Sequence, residues 1–249
     1  MPVSLNTWQL LGVILASAVF WMQYVQWKDR WQPEPRKRLF VAFLLGLVAW
    51  AMAVTCFIAL EAMGVPDIKF GEASWNVVYC FLFVGPIEEG AKILLVCLVV
   101  MRWREFDEPM DGFVYAAAVS LGFASLENFY NVPALAWQEQ LARTAALPLT
   151  HMLFSAIWGF GFGYARFCVA PGWRRWLWRI GSAALGMAAH GLYDFLIFAY
   201  QATFVTSGLA LVLWLFLIWR ARAFAKQLVP SASNTKQNAF PVPPPSNPS

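Results

Sequence analysis

The chain has 249 residues, of which 60% are hydrophobic and only 13% charged, with 14 tryptophans and a formal net charge of +4. A soluble domain carries about 25% charged residues, so this chain lacks the polar surface that a globule needs in water. The composition excludes a soluble enzyme, a nucleic-acid-binding domain built on the positive charge, and a disordered chain.

Crossing a hydrocarbon core of about 30 Å takes roughly 20 apolar residues of helix. Such runs are read at about 7–27, 39–63, 75–101, 111–132, 145–168, 176–200 and 203–219, which predicts an all-α, polytopic bundle of about seven transmembrane helices. The first run is not a signal peptide, because its basic cluster Lys28, Arg30, Arg36, Lys37 and Arg38 follows the apolar stretch rather than preceding it. Cytoplasmic loops collect Lys and Arg. Of the 18 basic residues, fifteen fall on one side of this alternation, only Lys69 and Arg143 on the other, and Lys92 inside the third run. That asymmetry predicts the N-terminus outside and the C-terminus in the cytoplasm. Residues 1–229 then form the membrane domain. The stretch 230–249, ending in PVPPPSNPS, reads as a disordered cytoplasmic tail. Cys56, Cys80, Cys97 and Cys168 lie in apolar runs with no CxxC pair, and read as buried thiols rather than a disulfide or thiolate metal site.

Charged side chains inside a bilayer are costly and mark function. The third run carries Glu88, Glu89 and Lys92 in the segment GPIEEGAK. At 100° per residue the lysine falls angularly between the two glutamates, so one ammonium neutralises one carboxylate and leaves the other poised. Pro86 and Gly90 predict a kink in the helix there, with Gly90 permitting close approach. A structural ion pair is the competing reading. In the fourth run Gly112, Ala116, Ser120, Ala124 and Asn128 line one small-residue face, with Glu127 beside it. The fifth has His151, Ser155, Gly159 and Gly163, and the sixth Ser182, Gly186, His190 and Asp194, each at four-residue spacing. Small residues on a stripe let helices pack closely, so each stripe turns an ionisable or amide group toward the bundle interior. Counted at about 1.5 Å per residue, all of these groups lie between the outer interface and the midplane. Four helices can thus close one polar pocket that opens to the extracytoplasmic side.

Two histidines with several carboxylates, and no well-placed Cys nucleophile or Ser–Lys dyad, point to activated water rather than a covalent intermediate. In such a site a glutamate takes a proton from water while imidazoles and an amide steady the water and the developing oxyanion. HExxH is absent, which excludes a conventional zinc-protease helix.

The ordered motifs Glu88-Glu89-x-x-Lys92, Gly122-Phe123-Ala124-x-x-Glu127-Asn128, His151 leading into Gly159-x-Gly161-x-Gly163, and Ala189-His190-x-x-x-Asp194 resemble those of the PrsW family of intramembrane proteases. That family is similar in turn to the type II CAAX prenyl endopeptidases and their bacterial relatives. The resemblance covers about residues 75–200. It implies a glutamate-dependent protease of the bacterial cytoplasmic membrane, often classed with metallopeptidases, that cuts membrane-anchored single-span substrates such as anti-sigma factors. Carried over, Glu88 and Glu89 match the catalytic diglutamate, His151 the middle histidine, and His190 with Asp194 the final motif; Lys92, Glu127 and Asn128 support them. The CAAX enzymes have Arg one position beyond Lys92, so prenylated substrates are disfavoured. Metal use stays open: His151, His190 and a carboxylate suit a three-ligand zinc site, while the same residues serve the preferred metal-free route with Glu88 as base and His190 and Asp194 at the oxyanion. The alternatives are a proton- or ion-coupled transporter using the Glu/Lys and His/Asp pairs, and a receptor that keeps the pocket without catalysis.

Overall fold

A computed structural model describes residues 5–28, 32–69, 71–200 and the isolated positions 208, 212, 215, 216 and 219. The chain divides into two units, 1–214 and 215–249. In the second, Leu215, Phe216 and Trp219 are helical, with the Phe216 and Trp219 rings 6.0 Å apart. Of the predicted seventh run, 203–219, only these isolated positions are described, and the proline-rich tail lies outside the described residues.

The first unit is helical, with no strand among the described residues. Its helices are α1 (Thr7–Lys28), α2 (Arg36–Ala62), α3 (Ala73–Tyr79), α4 (Gly85–Leu98), α5 (Pro109–Asn131), α6 (Trp137–Phe167) and α7 (Trp173–Tyr200). Five of them, α1, α2, α5, α6 and α7, are long and apolar enough to cross a membrane. The predicted third run is broken into α3, a π-helical turn over Cys80–Val84, and α4.

The π-turn puts the irregularity one turn before Pro86, and the close approach expected at Gly90 falls to another glycine. Proline lacks an N–H and its ring collides with the carbonyl four residues back in a continuous α-helix. The chain widens into the π-turn one turn earlier, which lets Pro86 sit in the first turn of a new helix. The residue in close approach is Gly85, where an added Cβ would lie 2.2 Å from the Met187 carbonyl oxygen of α7. Gly90 makes no such approach, its nearest neighbour for a Cβ being the Met187 side-chain end at 3.8 Å.

At the centre α5 and α6 pack along their length, with α2 and α1 against α5 and α7 against α6 and α4. Every residue of α5 from Asp111 to Ser125 is buried, as expected of a helix enclosed by protein on all sides. The glycines make this possible. A Cβ on Gly122 would lie 1.9 Å from the Phe43 carbonyl oxygen of α2, and one on Gly112 2.1 Å from the Gly159 carbonyl oxygen of α6. The obstacle is backbone in both cases, so no side chain can step aside. Gly122→Ala is therefore expected to destabilise the protein by at least about 1–3 kcal/mol, the usual cost of overpacking, seen as a lower thermal midpoint in detergent. Gly12→Ala, with nothing within 4 Å of its added Cβ, is the control and should not lower the midpoint.

Helix α6 contains a second proline, Pro148, one turn before His151. It deprives the Thr144 carbonyl of its helical donor, and Ser17 of α1 supplies a replacement, its Oγ donating to that oxygen at 2.8 Å. Trp21 Nε1 donates to the next carbonyl, that of Ala145, at 3.1 Å. Helix α1 is thus fastened to α6 where the proline has exposed the backbone. The helix also starts at Trp137, ahead of the expected 145, and this carries Arg143 into the bundle.

Candidate active site

The third, fourth, fifth and sixth predicted runs do converge. Glu88, Glu89 and Lys92 come from α4, Glu127 from α5, His151 from α6, and His190 and Asp194 from α7. The small-residue stripes bring their helices close enough, and Ser120 Oγ of α5 donates to Ser155 Oγ of α6 at 2.5 Å just beneath the histidines.

The two adjacent glutamates have opposite surroundings. Glu89 is fully buried and saturated. Its Oε1 accepts from Lys92 Nζ at 2.7 Å and lies 2.9 Å from His190 Nδ1, while Oε2 accepts from Ser155 Oγ at 2.9 Å and Trp158 Nε1 at 2.8 Å. Glu88 has no such shell. Its Oε2 is buried with no hydrogen-bond partner and stands 3.7 Å from His190 Nε2. Lys92 therefore chooses Glu89, three residues away, and its other contact is His151 Nδ1 at 2.9 Å. No ion pair joins it to Glu88 among the described residues.

These contacts fix the imidazoles. An ammonium only donates, so His151 Nδ1 accepts from Lys92, which leaves the ring proton on Nε2, 2.8 Å from Glu127 Oε2. Arg143 Nη2 holds Glu127 from the other side at 3.0 Å. A carboxylate only accepts, so His190 carries its proton on Nδ1 toward Glu89 and presents Nε2 to Glu88 and to Asp194 Oδ2, 3.4 Å away. The two imidazoles meet edge to face with centroids 5.1 Å apart. Phe154 stacks on His190 at 4.7 Å and Lys92 Nζ sits 4.1 Å over the Phe123 ring, so aromatic walls hold the polar cluster.

Exposure divides the cluster into a floor and a mouth. Glu89 and Lys92 side chains are inaccessible and the histidines nearly so, whereas Glu88, Glu127 and Asp194 keep 13%, 15% and 18% of their side-chain surface. The Glu88 side chain is thus on the more accessible side of the cluster, with its unpartnered Oε2 turned inward. Asn128 is buried, and neither of its amide atoms has a partner; among the described residues nothing ties it to the other seven.

The donor set suits a divalent cation. One ligand atom each from Glu88, His151 and His190 lies within 4.8 Å of the others, and four carboxylates (Glu88, Glu89, Glu127, Asp194) face only Lys92 and Arg143 as fixed cations. The Glu89 contact to His190 Nδ1 is the kind of carboxylate support that metal-bound histidines commonly have. His151 would join by giving up Lys92 at Nδ1 or Glu127 at Nε2.

Three contributors went unread in the sequence. Arg143 was assigned to a loop, although it lies opposite Glu127 across a short connection. Trp158 and Pro148 carry no spacing or charge signal that would single them out.

The description "PrsW family intramembrane metalloprotease" belongs to the family model that matches residues 34–221, a span that includes every residue of the cluster. The chain is 36% identical over 220 residues to Protease PrsW of Geobacillus kaustophilus (strain HTA426), covering 88% of this chain and 91% of that protein. It is 32% identical over 191 residues to Protease PrsW of Bacillus subtilis (strain 168), covering 76% and 83%. Protease PrsW of Clostridioides difficile (strain 630) is 26% identical over 216 residues, covering 85% and 86%. No solved structure matches the chain. These relatives are proteases, which does not favour the transporter alternative. With apolar helices long enough to cross a membrane and this buried Glu/His cluster among them, the chain is a multi-pass membrane protein that belongs to the PrsW family of intramembrane proteases.

Proposed function

We propose that the protein hydrolyses a peptide bond of a membrane-anchored, single-span substrate near its extracytoplasmic end, with Glu88 as the base that activates water. The observation that carries this reading is the contrast between the two glutamates: Glu89 is saturated by four donors, while Glu88 keeps a carboxylate oxygen without a partner beside His190 Nε2.

In this mechanism Glu88 takes the water proton as the oxygen attacks the scissile carbonyl, then returns it to the leaving amine nitrogen. His190, steadied by Glu89 through Nδ1, faces the reaction space with Nε2; a proton held there between Asp194 and the substrate stabilises the oxyanion. His151 Nε2–H, oriented by Lys92 and Glu127, fixes the carboxylate wall of the pocket and the water beside it. Lys92 and Glu89 are positioning groups, sealed from substrate. A divalent metal held by Glu88, His151 and His190 would polarise the water and the scissile carbonyl. The residues described suffice for proton transfer, so the metal-free route remains the preferred one. Anti-sigma-factor-like proteins of the bacterial cytoplasmic membrane are the substrate class, on the strength of the family resemblance.

The extracytoplasmic placement rests on seven spans with the N-terminus outside, the residues after 229 forming a cytoplasmic tail. Reporter fusions after Ala62 and after Trp103 are expected to report outside and inside, respectively; a cytoplasmic Ala62 would turn the pocket toward the other face. Co-expression of wild type or Glu88→Gln with a library of single-span membrane proteins tests the activity itself. Fragments that appear only with wild type are expected. The same fragments with both proteins would sink Glu88 as the base.

A further inference from the structure

We propose a binding site for an anionic phospholipid at the N-terminal end of α7, with the phosphate on an arginine cluster and one acyl chain in a groove between α6 and α7. The site is separate from the Glu/His cluster and does not depend on the catalytic reading.

The groove has a volume of about 380 Å³, with Ile157, Phe160 and Gly161 of α6 on one wall and Trp178, Gly181 and Leu185 of α7 on the other. From Trp178 to Leu185 it runs about 10 Å along the helix at 1.5 Å per residue, and its lining is almost wholly apolar. Gly181 keeps it open: a Cβ there meets nothing within 4 Å. The adjoining lipid-facing surface bears exposed Leu177 and Ile180.

At the groove's mouth the sequence reads Trp173-Arg174-Arg175-Trp176-Leu177-Trp178-Arg179. Arg174 and Arg175 stand one turn N-terminal to Trp178, and helical side chains lean toward the N-terminus, so their guanidiniums reach past the groove toward the headgroup region. Arg166 and Arg175 are near enough to Arg179 for their charges to repel. Among the described residues no carboxylate lies within ion-pair distance of Arg166, Arg174, Arg175 or Arg179. Arg175 spends its Nε and Nη2 on the Val169 carbonyl at 3.2 and 2.8 Å, whereas the Nε of Arg179 is buried with no partner at all. Arg166, Arg175 and Arg179 are gathered without counterions, held only by ring faces and backbone carbonyls, with Arg174 flanking them over the Trp173 ring; such a group calls for an anion, and a planar donor fork suits phosphate. Trp173, Trp176 and Trp178 are 69%, 62% and 50% exposed, which sets this turn at the membrane–water interface, where indoles collect. An anion at the turn that carries these tryptophans, next to an apolar groove that Trp178 itself lines, has the form of a phospholipid with negative net charge.

The test is native mass spectrometry of the full-length protein in detergent, titrated with phosphatidylglycerol or phosphatidylcholine. Wild type is expected to bind phosphatidylglycerol at least about 25-fold more tightly. One interfacial arginine is worth about 1 kcal/mol toward an anionic lipid surface, so Arg174→Gln/Arg179→Gln should weaken phosphatidylglycerol by roughly 25-fold and leave phosphatidylcholine unchanged. Arg174→Lys/Arg179→Lys keeps the charge and should retain most of the preference. Gly181→Phe, whose Cβ has open space, places a ring in the groove and should weaken both lipids. Equal affinity for the two lipids in wild type would overturn the proposal. So would equal losses in the glutamine and lysine variants, or undiminished phosphatidylglycerol binding by Gly181→Phe.

Discussion

Glu88→Gln is expected to abolish proteolysis, a fall of about 10²–10⁴-fold for loss of a general base, while the protein inserts and folds as wild type does. The second half of that expectation separates it from ordinary damage. Glu88 Oε2 has no hydrogen-bond partner and meets His190 Nε2 only at 3.7 Å, so exchange for an isosteric amide breaks no buried hydrogen bond and should leave the thermal midpoint near that of wild type. His151→Ala is expected to fall as far in activity. If the two groups act on one water, the double mutant is no worse than either single, because each loss already removes the whole unit. Rates of fragment formation in membranes, with thermal midpoints beside them, check both points. Multiplying losses would show that Glu88 and His151 work separately.

Lys92→Met should act through the fold. Methionine matches lysine in length, so a packing role would tolerate the exchange. Here Lys92 Nζ is the charged partner of a fully buried Glu89 at 2.7 Å and the donor to His151 Nδ1 at 2.9 Å. Removing one member of a buried pair leaves the other uncompensated, at a cost of about 3–5 kcal/mol, and it frees the His151 ring to turn. The variant should therefore show a much lower thermal midpoint and little activity. Adding Glu89→Gln removes the stranded charge while Ser155 and Trp158 can still donate to the amide oxygen. The double mutant Lys92→Met/Glu89→Gln is accordingly expected to recover much of the stability but not the activity, since His190 loses its carboxylate support. A wild-type midpoint for Lys92→Met alone would contradict the pair's structural role.

Much of this arrangement was legible before any coordinates, for a reason particular to membranes. In an apolar helix every charged side chain is conspicuous, and the four-residue spacing of Gly, Ala and Ser shows which face it shares with close-packed neighbours. His151, His190 and Glu127 could be placed in one pocket on those grounds. Spacing could not say which glutamate Lys92 takes, because positions three and four residues away are both within reach on a helix. Ser155 and Trp158 settle the matter from α6 by occupying Glu89 Oε2, and contacts between helices leave no periodic trace. The π-turn was likewise hidden. Proline announces that a helix must give way, but the place where it does so depends on Gly85 meeting the Met187 carbonyl and Gly191 meeting Cys80 on α7. Arg143 was missed because a hydropathy window ends a helix where its apolar run ends, while α6 continues two turns further as a polar extension.

In the proposed mechanism Glu88 activates water for peptide hydrolysis inside the membrane domain. The most direct test is cleavage of an identified single-span substrate by the purified protein in lipid vesicles, with both fragments sequenced. Wild type should yield a new carboxyl terminus and a new amino terminus at the extracytoplasmic end of the substrate's span, and Glu88→Gln of equal thermal stability should yield neither. Cleavage by Glu88→Gln at the wild-type rate would contradict this mechanism.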